Sequence, residues 1–287
     1  MQSDDQKNNV LHRVIEGYIP NQVLAAKNKA KTWEYGYNSK YDVVVISKDG
    51  TVGEVYEIQG FRVALPKQPK ECVKRDSKKS DQYWERQEIP NGLKKIQSIF
   101  QWNEKATEFK ERYVDYIEKE FDRREYGHWY LNNGVPTYMT GSQYMYLQWT
   151  KIDVGYPDFR EANRILYLFW EGCKADGRSF GMSYLKIRRS GFSFMSSSEG
   201  VNIATLARDS RIGILSKTGT DAKKMFTDKV VPINSSLPFF LKPIMDGMDK
   251  PKTELAYRIP ASKITKKNML NVEEGDIEGL DTTIDWK

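Results

Sequence analysis

The sequence predicts an α/β protein: a parallel sheet with flanking helices in its C-terminal part, preceded by a small β-rich N-terminal module and a helical segment. Three observations predict this. Residues 181–259 alternate strand-like and helix-like stretches, residues 42–66 hold short β-branched runs bounded by turns, and the stretch between repeats its apolar residues at steps of three and four. Strand, turn, helix, strand, helix, strand is the order that right-handed crossovers fold into a parallel sheet. Boundaries follow at 1–90 for the β-rich module with its basic connector, 91–180 for the helical segment and 181–287 for a partial core.

The first module reads as a hairpin. Asp42-Val-Val-Val-Ile-Ser and Val52-Gly-Glu-Val-Tyr-Glu-Ile flank Lys48-Asp49-Gly50, and an Asp-Gly pair between such runs is a turn signal. Gln59 to Pro66 adds a third strand. Pro66 to about Pro90 is charged and bounded by prolines, which reads as a connector. Within it, Lys67 to Asp81 holds six basic residues and three acidic ones; a solvated linker and a DNA-facing patch both fit.

Between Lys105 and Phe121, the apolar positions Phe109, Tyr113, Val114, Tyr116, Ile117 and Phe121 fall mostly on one helical face. Trp129 to Tyr138 is turn-rich, and Ser142 to Trp149 resumes an apolar pattern. Pro157 precedes a second helix with Asp158 as N-cap, in which Ala162, Ile165, Leu166 and Phe169 recur at helical spacing. Beyond it, Gly181–Ile187 and Arg211–Ser216 read as strands, each followed by a helix, over 194–207 and 220–230. Thr253–Ile259 and Asp281–Trp286 read as two more strands.

Composition limits the classes of function. The 287 residues are 39% apolar, 13% aromatic and 29% charged, which suits a folded domain with a real core and excludes a disordered chain. The longest apolar run, Ile165 to Trp170, is six residues, whereas a membrane helix needs about 20. The polar N-terminus carries no apolar signal region, so no secretion is expected. Cys72 and Cys173 read as two unrelated reduced thiols, and with two His they form no zinc cluster. The net charge of +6 permits a nucleic-acid or phosphate partner.

The chemistry centres on Lys186-Ile-Arg188-Arg189-Ser190-Gly191-Phe192-Ser193. A phosphate loop needs a strand feeding a tight turn whose amides converge, then a helix N-terminus facing the same space. On the frame of Gly, four residues, Gly, Lys, Ser or Thr, Gly191 and Ser193 match, while Lys186 replaces the first Gly and Phe192 the Lys. An aromatic cannot neutralise phosphate. Arg188 and Arg189 sit where a guanidinium could reach the β- and γ-phosphates, and Ser193 keeps the hydroxyl that ligates Mg²⁺.

Tyr184-Leu-Lys-Ile-Arg-Arg-Ser-Gly-Phe-Ser-Phe-Met-Ser-Ser-Ser-Glu resembles the deviant Walker A of tailed-phage terminase large subunits, those of crAss-like phages above all. Gly213 to Phe226, Gly155 to Arg164, Asp42 to Gln59 and Pro251 to Pro260 are similar to the same group, so the likeness covers roughly residues 33–287. It implies an ASCE-type P-loop NTPase with ATP and Mg²⁺. The activity implied is that of an ATP hydrolase on the portal vertex, pumping double-stranded DNA into a procapsid in the cytoplasm of a bacterial host. The partners implied are DNA, the portal protein, the small terminase subunit and further copies in a ring, with no membrane. Arg188 and Arg189 would be catalytic, with the phosphates held by Lys186 and by the residues from Arg188 through Phe194.

An adenine-contacting motif in this family precedes the first strand, here at Asp158-Phe159-Arg160; its usual Gln falls on Arg160, and Gln143 competes for that role. Lys217 and Thr218 stand where DNA phosphates or a neighbouring nucleotide would lie, though a loop ordered by local hydrogen bonds fits equally. Residues 1–90 lie outside the common motor core. No run of four apolar residues followed by Asp-Glu occurs, so the Mg²⁺-holding and water-orienting carboxylates are lacking. A chain truncated or split before that motif, able to bind nucleotide but poor at hydrolysing it alone, is the expectation. A non-catalytic DNA-binding or virion-assembly protein and another helicase-like motor are the rivals.

Overall fold

The structure, a computed structural model, describes residues 36–38, 40–47, 49–74, 84–206, 210–246 and 251–259. It is a mixed α/β protein. Strands β1 (Gly36–Asn38), β2 (Val43–Val45), β3 (Val55–Ile58) and β4 (Phe61–Ala64) form one sheet in the order β1-β2-β4-β3. The expected hairpin across Asp49-Gly50 does not form. Instead β2 runs parallel to β4, and β3 pairs antiparallel with the far side of β4. The two-residue loop Gln59-Gly60, with φ of 52° and 80°, closes that pair; both positive angles match a type I′ turn.

Burial explains the order. Val43, Val44 and Val45 are all buried, so β2 takes a central slot covered on both faces. β3 alternates exposed and half-buried residues, as a strand at an edge does. The loop from β2 to β3 is held by Asp49, whose carboxylate accepts from Ser47 and from the Thr51 amide and hydroxyl.

The connector contributes β5 (Val73–Lys74), which joins β6 (His128–Asn132) and β7 (Val135–Met139) in a three-stranded sheet. The stretch read as turn-rich is therefore a hairpin. Its loop is Asn133-Gly134, with φ of 48° and 83°.

Short helices α1 (Asn91–Lys94) and α2 (Ile99–Asn103) lead into α3 (Thr107–Tyr126), the long amphipathic helix expected there. α4 (Gly141–Tyr144) runs on into a π-helical turn, Met145–Trp149. α5 (Glu161–Ala175) starts two residues later than an N-cap at Asp158 implies. Arg160 precedes it in an extended conformation without a side-chain cap, so Asp158 is not its N-cap. α5 carries the first sheet on one side, where Gly172 lets Phe61 and Val63 come close.

α6 (Phe192–Leu206) lies across α4 and the π-helical turn. Apart from the buried Glu199 and Asn202, its residues are small or apolar, the composition of a helix covered on most sides. Buried Arg124 of α3 donates to the Asn202 and Thr205 side chains of α6 and ties the two together. The chain ends its described part with α7 (Gly219–Met225), a second π-helical turn Phe226–Val230, α8 (Val231–Ser236), a 3₁₀ turn Phe239–Leu241, and β8 (Ile244–Asp246) antiparallel to β9 (Ala256–Ile259). Among the described residues no helix is long and apolar enough to cross a membrane.

One expectation fails plainly. Gly181–Ile187 and Arg211–Ser216 are not strands, and between β7 and β8 no strand forms among the described residues. Residues 182–187 and 212–216 make no backbone–backbone hydrogen bond there, and Leu185 (100% exposed), Ile187 (81%) and Leu215 (99%) stand in solvent. A strand exists only with a neighbour that takes its N–H and C=O groups, and none stands beside these segments among the described residues. The parallel sheet is therefore absent from the described part of 181–287. The strand expected at Asp281–Trp286 lies outside the described residues.

Candidate functional site

The basic turn is built by two left-handed residues. Arg189 has φ +66° and Gly191 φ +80°, while Arg188 and Ser190 between and before them do not. Alternation of handedness turns successive amides toward one side, the arrangement that makes a concave anion cradle. Gly191 also opens α6: its carbonyl accepts from the Phe194 and Met195 amides. The amides of Phe192 and Ser193 belong to the first turn, where no intrahelical acceptor exists and the helix dipole favours negative charge. The hydroxyl of Ser190 is buried without a hydrogen-bond partner among the described residues.

Arg188, Arg189 and Lys186 are exposed on this turn. Phe192 is half-buried and its ring lies 4.9 Å from that of Tyr184. Phe194 sits under the ammonium of Lys229, 3.7 Å from ring centre to nitrogen. Ser193 is exposed and lines a cavity of about 800 Å³ between α6, α7 and residues 210–215, which Lys223 also lines. Neither Arg188 nor Arg189 lines that cavity. Ser193 offers one hydroxyl to a metal, which suits Mg²⁺, since that ion takes most of its ligands from water and phosphate. Among the described residues no group of three or more His, Cys, Asp or Glu is placed to hold a metal ion.

The adenine candidates divide. Asp158 and Arg160 are exposed, Phe159 is 6% exposed within the main aromatic core, and Gln143 is buried in α4 with neither side-chain amide atom hydrogen-bonded. Arg160 is close enough to Tyr146 to act on it: burial raises the Tyr146 pKa and the Arg160 charge works against that rise. Tyr146 in turn approaches the turn, with its hydroxyl 3.7 Å from where a Cβ on Gly191 would stand. The fold thus links Arg160 to Gly191 through a residue that sequence reasoning passed over. Its only signal was a place in an apolar run. Thr218 has a defined local role, since its hydroxyl caps α7 by accepting from the Asp221 amide at 3.1 Å. Lys217, beside it, is exposed.

Comparison with known protein families, with curated proteins and with solved structures finds no match to this chain.

Proposed function

We propose that this chain is the nucleotide-binding part of a viral DNA-packaging motor of the terminase large subunit type. The observation that carries the reading is the turn Arg188–Gly191, whose alternating backbone hands feed the open amides of α6. In this reading the amides cradle phosphate, a guanidinium from Arg188 or Arg189 neutralises it, and the Ser193 hydroxyl meets Mg²⁺. The P-loop NTPase core belongs to the same proposal. α6 is mostly small or apolar, and segments 182–187 and 212–216, which make no backbone–backbone hydrogen bond among the described residues, flank it in sequence. A helix entered through a basic turn and flanked in sequence by two segments of strand-like composition is the local order of a P-loop core. ATP binding is proposed for this chain, with DNA translocation depending on the portal, on the small subunit and on a ring of copies.

Equilibrium binding of a fluorescent, non-hydrolysable ATP analogue with Mg²⁺ tests the reading. Saturable binding that falls by about tenfold or more in Arg188→Ala or Arg189→Ala supports it, since a charge-assisted contact to phosphate is strong. No saturable binding, together with DNA affinity that drops steeply with salt, would make the basic turn a direct grip on DNA backbone and sink the motor reading.

A further inference from the structure

The cavity of about 800 Å³ that Ser193 lines is a cleft laid along α6. Its floor is a side of that helix with small residues, Ser193, Ser197, Gly200 and Ala204, a span of about 16 Å at roughly 1.5 Å per residue. Residues 212–215 make one wall, and α7, the π-helical turn after it and residues 253–257 make the others. Ile212 rests on the floor, its Cγ2 3.5 Å from where a Cβ on Gly200 would stand.

The chain passes through residues 211–216 without turn or bend, and the backbone of 212–216 makes no hydrogen bond among the described residues. A Cβ on Gly213 would meet nothing within 4 Å, so the space beside the run is open. A compact guest would fill the cleft and leave most of these N–H and C=O groups unanswered. An extended peptide answers them in sequence, as one strand beside another. Five residues of such a peptide measure about 16 Å at roughly 3.3 Å each, the length of the floor. A ribbon of two strands is marginal by itself in water, and packing on a helix supplies what it lacks.

Charge selects among peptides. Lys223 lines the cleft, Lys217 follows the run, and Lys224 and Lys252 adjoin lining residues in sequence. All four are exposed and without an ion-pair partner among the described residues. Arg211 also lines the cleft but is already engaged. On the acidic side, Glu254 lines the cleft and Asp221 accepts from the Thr218 hydroxyl at 2.8 Å. A second copy of this chain would bring its own Arg211 and Lys217 against these cations, which like charge disfavours. Glutamates flanking an apolar strand meet opposite charge instead.

We propose that this cleft docks an extended peptide of a partner protein, about five residues of alternating apolar side chains with an acidic flank, added as a strand beside residues 212–216. The site stands whether or not the basic turn holds nucleotide.

Fluorescence anisotropy of a labelled Glu-Glu-Val-Thr-Val-Thr-Val peptide, titrated with the full chain, tests this. Saturable binding of one peptide per chain is expected. It should weaken by about tenfold or more when Lys replaces both Glu, and by a similar factor when alternate amides are N-methylated, because main-chain hydrogen bonds carry strand addition. Ile214→Pro removes an N–H that no described residue uses, and Lys223→Glu reverses an exposed charge, so both variants should fold. Each should weaken the peptide by about tenfold or more. Absence of saturable binding overturns the proposal, as does equal affinity for the Lys peptide or the N-methylated one. Unchanged affinity in folded Ile214→Pro or folded Lys223→Glu does the same. A stable dimer in light scattering that the peptide does not dissociate would give the cleft to a second copy and end the proposal too.

Discussion

The Tyr146 hydroxyl lies 3.7 Å from the position that a Cβ on Gly191 would occupy, although 45 residues separate the two in sequence. This places a phenol from the π-helical turn beside the anion cradle. The contact is ordinary van der Waals distance, so the backbone at Gly191, and not crowding, decides what a substitution there does.

Gly191→Ala is expected to cost about 1–2 kcal/mol, the penalty of a side chain at φ +80°. Urea unfolding measures it. Analogue binding should weaken further than stability alone explains, because relaxing φ turns the amides apart. Unchanged analogue affinity in the folded variant would remove the cradle from the nucleotide reading.

Gly172→Ala tests the docking of the first sheet on α5. A Cβ there would stand 2.5 Å from Phe61 Cε1 and 2.8 Å from Val63 Cγ2. Overpacking of this kind costs about 1–3 kcal/mol. Combining it with Phe61→Leu should recover part of the loss, and a double-mutant cycle from thermal melts reads the coupling.

Lys174→Met leaves Glu171 and Glu199 buried without their cation, a loss of about 3–5 kcal/mol by analogy with other broken buried pairs. The wild-type pair has a defined pH signature. Burial works to lower the Lys174 pKa, but Glu171 and Glu199 outweigh it, and the net value lies above the ordinary 10.5. A folded pKa above the unfolded one means the stabilisation is complete below pH 10.5 and is lost as pH rises through the folded value. Denaturant midpoints followed from neutral pH upward should therefore hold level and then fall, with that limb shallower in Lys174→Met.

Leu185→Ser and Leu215→Ser should change stability by no more than about 0.5 kcal/mol, because both side chains already face solvent. Light scattering should show less self-association, since exposed apolar side chains on unpaired backbone invite edge-to-edge pairing. A loss of several kcal/mol would mean that these segments are packed strands in solution.

Much of the helical framework was legible in the sequence. Phe109, Val114 and Ile117 marked α3, and Ile165, Leu166 and Phe169 marked α5, because helical spacing is a local property. Strand pairing was legible only in part. The runs at 43–45 and 55–58 were correctly seen, but which strand lies beside β2 depends on Phe61–Ala64, whose burial no local pattern reports. The hairpin at 128–139 was missed although Asn133-Gly134 carries the signal. Gly181–Ile187 and Arg211–Ser216 have strand-like side chains, yet a strand is a relation between two segments, and a one-dimensional pattern does not show whether the second one is there. The basic turn was visible as a motif. Tyr146 was not, because only the fold brings it to Gly191.

The wide turn Met145–Trp149 has a consequence for how this region tolerates change in chain length. A π-helical turn holds one more residue than the α-helical turn it replaces. Deleting a single amino acid upstream of Tyr146 within α4 would let the coil tighten to ordinary pitch and swing that phenol by about 100°, away from Gly191. Point substitutions there keep the angle; a shortened chain would keep the helix and lose the aim.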